Sequence, residues 1–398
     1  MTRVRRDLGL YPVVAVMGAR QVGKSTLARH LARERGMRYL TLDDRDVRAQ
    51  ALGDPEGLLA SAGDAGAVID EVQRAPDLLL AIKAVVDREQ RPGSYLLTGS
   101  NQPRVSRSVA DSLLGRVAYR TLRPLTLSEQ RYDEGPPRWG WLFEADGAEL
   151  QRRLAGAAEM SGDLPWRDVV ATGGMPRAVA VARDDRLQLL DDYLRTFAGR
   201  DVRDVLDVEA PERFEAFLRL VAAWTGQELN ASGIARDLGV AVTTVQRWVD
   251  ALERSYLVTL VPPYSRNASQ RVIKAPKLFM VDPALALAGA READPTGFHL
   301  ETLVANDLHV WRDDAPARGL YHWRLPSGQE VDFVLQQGRA LVPVEIKTTD
   351  AAKRRDARHL ATFLERHSTA KRGVLLSSDP EVRLLGDRIV AAPWWGVV

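Results

Sequence analysis

The sequence contains no cysteine, and this absence excludes several classes of chemistry. Without thiols the chain forms no disulfide, no thiolate zinc site and no cysteine nucleophile. Its 398 residues include only six histidines, and these show no spacing typical of metal ligands. No apolar run approaches the ~20 residues that cross a bilayer, and no apolar segment follows the arginines near the N-terminus. We therefore expect a cytoplasmic protein with no membrane partner.

Lysine is scarce as well, because only seven of the 55 basic residues are lysines, and two of the seven fall inside motifs. The net charge of +2 is too small for binding nucleic acid through the whole surface, so such a surface would need local clusters of arginine. A content of 45% hydrophobic and 27% charged residues is typical of globular proteins. The length predicts two to four domains.

The stretch GARQVGKST, residues 18–26, fits the phosphate-binding pattern G-x-x-x-x-G-K-[ST]. It follows the apolar run YPVVAVMG and opens a helical pattern, which is the context that this loop requires. Its glycines let backbone N–H groups close around phosphate at the positive end of the helix, the lysine reaches the β- and γ-oxygens, and the serine would ligate Mg²⁺. The predicted ATP ligands are Gly18, Gln21, Val22, Gly23, Lys24, Ser25 and Thr26.

A second apolar strand, AVIDE, ends in Asp70 and Glu71. Behind a phosphate-binding loop, the first acid is expected to hold Mg²⁺ through water, and the second to polarise the attacking water. Further strands alternate with helices up to residue 100, which favours a doubly wound parallel sheet. The pair predicts ATP hydrolysis, and the alternative is a degenerate loop with a structural role.

The middle of the chain has the spacing of a helix-turn-helix. Ala235 permits a close helix crossing, Gly239 supplies the turn, and Val245 fills the core beneath the second helix. The strand and PPY segment that follow would form the wing of a winged helix. The start of the second helix offers polar side chains to DNA, namely Thr243, Thr244, Gln246 and Arg247. The alternative is a winged helix that serves as a spacer or a protein contact.

Near the C-terminus, Asp332 precedes the pair Glu345 and Lys347 in the arrangement D-x(12)-E-x-K. The two segments predict a hairpin, and strand alternation places Glu345 and Lys347 on one face opposite Asp332. Glu301, on the preceding helix, is a further candidate for the cluster. Such carboxylates would hold Mg²⁺ and activate a water for phosphodiester hydrolysis, while Lys347 orients that water. A fold of this type also occurs without cleavage, so that alternative stays open.

Nearly the whole chain resembles the AAA+-type ATPases whose C-terminal half is the DUF4143 domain. The resemblance rests on GARQVGKST, AVIDEVQRAPDLLLAIKAVVD, YLLTGSNQ, LRPLTLSE, GGMP, KLFMVD, LETLVANDL and SGQEVDFVL followed by VPVEIKTT. It implies an α/β multidomain fold with an AAA+-type parallel sheet, a helical lid, a winged helix and a C-terminal restriction-endonuclease-like α/β domain. The corresponding boundaries are 1–130, 131–210, 211–265 and 266–398.

The resemblance also implies roles that spacing alone does not supply. Ser100 or Asn101 would act as sensor 1 on the γ-phosphate or the lytic water, and Arg177 as a sensor 2 contact. Arg116 would be the arginine finger that reaches the ATP of a neighbouring subunit, which implies a homo-oligomer, with a ring as one candidate form. For either arginine the alternative is a solvated or carboxylate-paired side chain. The chain departs from the family pattern at Asp307, where the helix often carries a second glutamate.

Two functional hypotheses follow. The first is an ATP-driven machine that binds DNA, with branched DNA as one candidate form, and cuts it in a Mg²⁺-dependent reaction. The second is an ATP-dependent regulatory switch or assembly scaffold with a catalytically inactive nuclease-like binding domain.

Overall fold

The computed structural model describes residues 1–101, 115–133, 135, 137–162, 164–200, 202, 211–265 and 275–398. The chain divides into two compact units, of which the first comprises residues 1–123 with 254–257 and the second residues 124–253 with 258–398. The end of the predicted lid, 203–210, and the start of the predicted C-terminal domain, 266–274, lie outside the described residues. The four-part division of the chain stays a prediction.

The first unit contains a five-stranded parallel sheet with the order β2-β3-β4-β1-β5. Its strands are β1 (Val13–Met17), β2 (Arg38–Thr41), β3 (Ala67–Asp70), β4 (Tyr95–Gly99) and β5 (Val117–Thr121). The α-helices described in this unit are α1 (Thr2–Leu8), α2 (Lys24–Arg35), α3 (Arg45–Gly53), α4 (Pro55–Ala60) and α5 (Leu78–Glu89). The parallel sheet predicted from the alternation of strands and helices is confirmed.

Every residue of β1, β3 and β4 is buried, because helices cover both faces of these strands. Leu31 of α2 packs in the cluster on one face, and Ile82 of α5 in the cluster on the other. Parallel strands bring their carboxyl ends to one edge of a sheet, which is where ligands bind in folds of this kind. The loop after β1 and the acids after β3 therefore lie at the same edge.

The second unit begins with helices and continues with a helix–strand module. Its first helices are α6 (Leu127–Gln130), α7 (Trp141–Glu144), α8 (Gly147–Ser161), α9 (Trp166–Thr172), α10 (Pro176–Ala180) and α11 (Arg183–Gly199). The module consists of α12 (Pro211–Ala223), β6 (Gln227–Glu228), α13 (Ala231–Leu238), α14 (Val242–Arg254), β7 (Val258–Val261) and β8 (Lys277–Met280). Its strands form an antiparallel sheet with the order β6-β8-β7.

Small and apolar side chains hold the module together. Ala235 and Val245 are buried, and Gly239 ends α13 with a φ of +62°, a value that favours glycine. The Trp248 ring of α14 lies 5.6 Å from the ring of Phe214 and 5.2 Å from that of Phe217, measured between centroids. These ring contacts fix α14 against α12.

A six-stranded sheet with the order β13-β14-β12-β11-β10-β9 completes the second unit. Its strands are β9 (Arg318–Arg324), β10 (Glu330–Gln337), β11 (Ala340–Ile346), β12 (Gly373–Ser377), β13 (Arg383–Gly386) and β14 (Ile389–Pro393). Three helices accompany it, namely α15 (Pro283–Ala290), α16 (Gly297–Asp313) and α17 (Arg358–Arg366). β9, β10 and β11 are antiparallel neighbours, whereas β12 runs parallel to both β11 and β14.

Helix α16 lies at the centre of the second unit. It shares one apolar core with the sheet and with Trp139, Leu154 and Trp166 of the segment predicted as linker and lid. The helix is buried along most of its length, yet it carries the ionisable residues Glu301 and Asp307 inside. Buried acids of this kind point to a site, because they are costly without partners. None of the helices in the described ranges is long and apolar enough to cross a bilayer.

Candidate functional site

The loop between β1 and α2 has the backbone that the phosphate-binding pattern requires. Gln21 and Gly23 adopt positive φ values of +63° and +99°. A Cβ atom on Gly18 would lie 2.2 Å from the backbone oxygen of Leu122, so only glycine fits this position. The loop thus turns tightly enough for its N–H groups to face a phosphate at the start of α2.

Lys24 begins α2 and is buried beneath this loop, with 4% of its surface exposed. Its Nζ atom donates to the backbone oxygens of Gly18 at 3.0 Å and Ala19 at 2.8 Å. Burial lowers the pKa of Lys24 to about 8, although the negative charges of Glu71 and Asp70 oppose the shift. A phosphate group in the loop would favour the charged ammonium, so the position selects an anionic ligand.

Asp70 ends β3 and is held from both sides by neighbouring strands. Its Oδ2 atom accepts a hydrogen bond of 2.5 Å from the Tyr39 hydroxyl of β2, and its Oδ1 atom accepts one from the Thr98 hydroxyl of β4. Burial and the bond to Asp70 raise the pKa of Tyr39, which keeps the phenol protonated as a donor. The sequence analysis missed both partners, because β2 and β4 are far apart in sequence.

Glu71 follows with a φ of +59°, a conformation that costs a non-glycine residue about 1–3 kcal/mol. The Ser100 hydroxyl donates to Glu71 Oε2 over 3.2 Å, and Gln73 Nε2 donates both to Glu71 and, over 3.1 Å, to Ser100. The predicted sensor residue Ser100 therefore lies against the predicted catalytic acid. Gln73 was missed, and the only signal for it was its position two residues after Glu71.

The other predicted ligands of ATP lie on the same loop or beside it. Val22 is buried, Ser25 is half-buried in the first turn of α2, and Gln21 and Thr26 are exposed. Asn101, at the end of β4, is 6% exposed. Hydroxyl and carboxylate oxygens are the donors that Mg²⁺ takes, so Ser25 and Asp70 fit a magnesium ion by their chemistry.

Two arginines, Arg116 and Arg177, are predicted from the sequence to contact ATP. Arg116 forms an ion pair with Asp87 of α5, and its side chain is 37% exposed. Arg177 is exposed on α10, in the second unit. Their assignment as finger and sensor stays a prediction.

The C-terminal carboxylates come together where β10 and β11 meet α16. Asp332 Oδ2 accepts a hydrogen bond of 2.8 Å from the backbone nitrogen of Ile346, and Lys347 Nζ lies 2.7 Å from Glu345 Oε1. Glu301 faces them from α16, since its charge and that of Asp332 act on one another. All four residues singled out from the sequence thus belong to one cluster, in which Glu301, Asp332 and Glu345 are buried and the side chain of Lys347 is 41% exposed.

The sequence analysis missed the residue at the centre of this cluster, Lys277. Its ammonium lies 2.5 Å from Glu330 Oε1, 3.4 Å from Glu301 Oε2 and 3.4 Å from Asp332 Oδ1. Only 3% of its side chain is exposed. The lysine comes from β8, so a strand of the three-stranded sheet supplies the cation for carboxylates of the six-stranded domain.

Burial and charge perturb the whole cluster. Burial alone would lower the pKa of Lys277, but Glu301, Asp332 and Glu330 outweigh it and raise that pKa. Burial raises the pKa of Glu301 to about 8, with help from Asp332 and against the attraction of Lys277. Burial likewise raises the pKa of Glu345, again with help from Asp332. Lys277 is therefore an ammonium ion, and the burial of the acids is the main cost of the arrangement, with repulsion among them as the next cost.

A divalent metal ion does not fit this cluster while Lys277 occupies it. Among the described residues, no group of three or more His, Asp or Glu side chains is placed to hold a metal ion. Mg²⁺ binds oxygens at about 2.0–2.1 Å and Ca²⁺ at about 2.3–2.6 Å, and the ammonium stands between the oxygens that would have to approach. The ammonium of Lys277 thus lies against Glu301 and Asp332, two of the three predicted magnesium ligands, and the assignment of Glu301, Asp332 and Glu345 to a magnesium site stays a prediction.

Asp307, where the family pattern often has glutamate, is paired with a tryptophan and not with the lysines of the carboxylate cluster. Trp139 Nε1 donates to its carboxylate. Burial raises the pKa of Asp307 to about 6 despite this bond. The residue fastens the segment around Trp139 to α16 and lies apart from the carboxylate cluster.

The loop after β1, its buried lysine and the paired acids after β3 of a parallel sheet define a P-loop ATPase. Family models agree with this class: an AAA domain matches residues 10–130, a domain of unknown function (DUF8612) matches residues 164–295, and a domain of unknown function (DUF4143) matches residues 296–396.

Two mycobacterial proteins are similar along most of the chain. The uncharacterized protein Rv2008c of Mycobacterium tuberculosis is 30% identical over 358 residues, which are 87% of this chain and 73% of that protein. The uncharacterized protein Mb2031c of Mycobacterium bovis is similar to the same extent. The chain belongs to their family, that of AAA-type P-loop ATPases with a C-terminal DUF4143 domain.

Similarities to solved structures are weaker. The Walker-type ATPase PABY2304 of Pyrococcus abyssi has a TM-score of 0.40 at 14% identity, covering 72% of this chain and 93% of that one. AMPPCP-bound DnaA from Aquifex aeolicus has a TM-score of 0.24 at 15% identity, covering 63% of this chain and 85% of that one. Scores this low carry no inference about function.

The lack of room for a side chain at Gly18 leads to a prediction for nucleotide binding. In Gly18→Ala the new methyl group would collide with a backbone oxygen, so the loop must open, and we expect the affinity for a fluorescent ATP analogue to fall at least about tenfold. Gly53→Ala is the matched control, because nothing lies within 4 Å of its added Cβ. Equal affinities of the two variants would contradict the assigned loop geometry.

Proposed function

We propose that the protein binds ATP with Mg²⁺ at the loop after β1 and hydrolyses it. The observation that carries the proposal is the fixed geometry of the two acids: Asp70 is held by hydroxyls of adjacent strands, and Glu71 is held by Ser100 and Gln73. Residues whose rotamers are locked in this way are suited to catalysis.

Each group has one role in this proposal. Backbone N–H groups of residues 18–26 bind the phosphates, and Lys24 places its charge on the β- and γ-oxygens. Ser25 and Asp70 would hold Mg²⁺, which neutralises charge on the phosphates when bound. Glu71 polarises the attacking water, and Ser100 positions Glu71 by its hydrogen bond. Asn101 is the proposed contact to the γ-phosphate.

Removal of the proposed general base separates binding from hydrolysis. We expect Glu71→Gln to bind ATP with unchanged affinity and to hydrolyse it at least about 100-fold more slowly, because the amide cannot accept the proton of the water. Asp64→Asn, an exposed acid of the same unit, is the control and should keep the wild-type rate. ATPase rates measured under saturating ATP, together with titration of an ATP analogue, test this. A Glu71→Gln rate within about twofold of wild type would contradict the assignment.

We further propose that the protein acts as a homo-oligomer in which Arg116 completes the ATP site of a neighbouring subunit. The proposal is supported by the position of Arg116 before β5 and by its partial exposure. The ion pair with Asp87 is the competing role. An arginine that contacts the γ-phosphate is worth about 10³–10⁵ in rate in related chemistry, so the two roles differ strongly in their effect.

Mixing of subunits distinguishes these roles. Lys24→Ala removes a subunit's own phosphate contact, and Arg116→Ala removes the proposed finger. If the finger acts between subunits, a mixture of the two inactive variants regains part of the ATPase rate. Asp87→Ala is the control, since it removes the ion pair with Arg116 and should stay active. A mixture that remains as inactive as its components would contradict the proposal.

We also propose that the helix–strand module is a winged helix that contacts DNA through the start of α14, with branched DNA as one candidate form. The order of its helices and strands and the sheet order β6-β8-β7 support the winged helix. Thr243, Gln246 and Arg247 are exposed at this end of α14, where a recognition helix presents its side chains.

A matched pair of arginines tests DNA contact. We expect Arg247→Ala to weaken binding by about 1–3 kcal/mol in fluorescence anisotropy at fixed salt, with single-stranded, duplex and four-way DNA as probes. Arg236→Ala, which removes an exposed arginine of α13, should change it little. Equal losses for both variants, or a wild-type protein that binds none of the three DNA forms, would contradict the proposal. ATPase rates with each DNA show whether binding and hydrolysis are coupled.

For the C-terminal domain we propose a nuclease-like fold, supported by the succession of α16, β9, β10, β11, α17 and β12 and by the convergence of Asp332, Glu345 and Lys347. A Mg²⁺-dependent nuclease is one candidate activity. Lys277 favours the other candidate, an ATP-dependent switch or scaffold whose nuclease-like domain binds without cutting, because its ammonium stands where a catalytic metal ion would bind.

A further inference from the structure

The carboxylate cluster already contains a cation, the ammonium group of Lys277, and the surrounding structure fixes the position of this group. Lys277 is the first residue of β8. In the sheet it pairs with Glu228 of β6 on one side and with Val261 of β7 on the other. Both neighbours fix its backbone, and the side chain is 3% exposed. A buried ammonium has three donors to satisfy, and three carboxylates surround this one.

The oxygens around Lys277 Nζ are those that a metal ion would use. Glu301 and Asp332 each present an oxygen at 3.4 Å and Glu330 presents one at 2.5 Å. Glu345 Oε2 is buried without a hydrogen-bond partner, and the carboxylate of Glu345 interacts electrostatically with Asp332 and Glu301. A divalent ion at the same centre would draw Glu301 and Asp332 inward by about 1 Å, a movement that carboxylate side chains can make.

The cluster would still attract a divalent cation if its centre were vacated. With the Lys277 ammonium gone, the four carboxylates Glu301, Glu330, Asp332 and Glu345 and the ammonium of Lys347 would together carry a formal charge of −3 when every acid is ionised. Ions can also reach it, because a cleft of about 580 Å³ is lined by Lys277 and Glu330 together with Glu228, Asn230 and Arg324. The position of the ammonium therefore decides what the cluster binds.

We propose that Lys277 is the resident cation of this cluster and excludes divalent metal ions from it, so that the nuclease-like domain has no metal ion while β8 is paired in its sheet. This rests on the proposed nuclease-like fold of the domain. Removal of the ammonium alone converts Glu301, Asp332 and Glu345 into a divalent metal site, with Glu330 as a further oxygen donor. Lys277 is then a specificity residue, which sets what kind of ion the acids accept.

Manganese binding to the full-length protein tests the proposal. Mn²⁺ is counted by electron paramagnetic resonance without nucleotide, in wild type, in Lys277→Met and in Lys371→Met, whose lysine is exposed. We expect no Mn²⁺ at the cluster in wild type or Lys371→Met. We expect one Mn²⁺ in Lys277→Met, bound at least about 100-fold more tightly than by wild type and lost in Lys277→Met/Asp332→Asn. Lys277→Arg keeps the charge and should bind none.

Two results would overturn the proposal. One is a wild-type protein that binds one Mn²⁺ which Asp332→Asn removes, since metal and ammonium would then coexist. The other is a folded Lys277→Met protein that binds no Mn²⁺. Should Lys277→Met fail to fold, Lys277→Met/Glu330→Gln takes its place, because it removes one repelling charge and leaves Glu301, Asp332 and Glu345. The metal should also raise the thermal midpoint of the variant and leave that of wild type unchanged.

DNA cleavage separates this proposal from the proposed fold and activity. Lys277→Met that binds Mn²⁺ and nicks DNA supports both the exclusion by Lys277 and the nuclease-like fold. Lys277→Met that binds Mn²⁺ and leaves every DNA form intact supports the exclusion, and it counts against a latent nuclease. The ATPase rate should stay at the wild-type value in every variant, which shows that the first unit is intact.

Discussion

A charged side chain that leaves water must be paired, because otherwise its burial costs several kcal/mol. The candidate sites in both units are built around this constraint. In the first unit, Asp70 gains hydrogen bonds from two neighbouring strands, and Lys24 donates to two backbone oxygens of its own loop. In the second unit, the ammonium of Lys277 lies among three carboxylates. Paired strands fix the positions of Asp70 and Lys277, whereas Lys24 is fixed by the first turn of α2 and by its own loop.

The two sites differ in the charge that they leave for a ligand. At the P-loop, burial lowers the pKa of Lys24 to about 8, and the start of α2 adds further positive potential, so an anion stabilises the site. At the cluster, carboxylates outnumber ammonium groups, and a cation stabilises the site. The phosphates of a nucleotide would neutralise the positive charge of the P-loop site. The ammonium of Lys277 already neutralises part of the negative charge of the carboxylate cluster.

The sequence predicts those parts of the sites that lie close together along the chain. The P-loop spans nine residues, Asp70 adjoins Glu71, and a single hairpin brings Asp332 to Glu345, so spacing and strand alternation were sufficient. The partners that hold these groups come from distant segments. Thr98 is 28 residues from Asp70, and Lys277 is 55 residues from Asp332 and belongs to a different sheet. The order of the strands in a sheet decides which distant residues come into contact, and the hydrophobic periodicity of the sequence does not reveal that order. The scarcity of lysine was the available signal for Lys277.

The place of Lys277 in the chain gives the cluster a dependence that a bound metal would not have. A metal ion comes from solvent, and its occupancy follows its concentration. The ammonium comes from β8, which also belongs to the sheet of the helix–strand module, next to β6 and β7. A displacement of β8 by even 2–3 Å would leave Glu301 and Asp332 without their counter-charge, and repulsion between two buried acids is large at such distances. Whatever moves this module therefore also changes the charge of the carboxylate cluster, because β8 carries the ammonium that lies against Glu301 and Asp332.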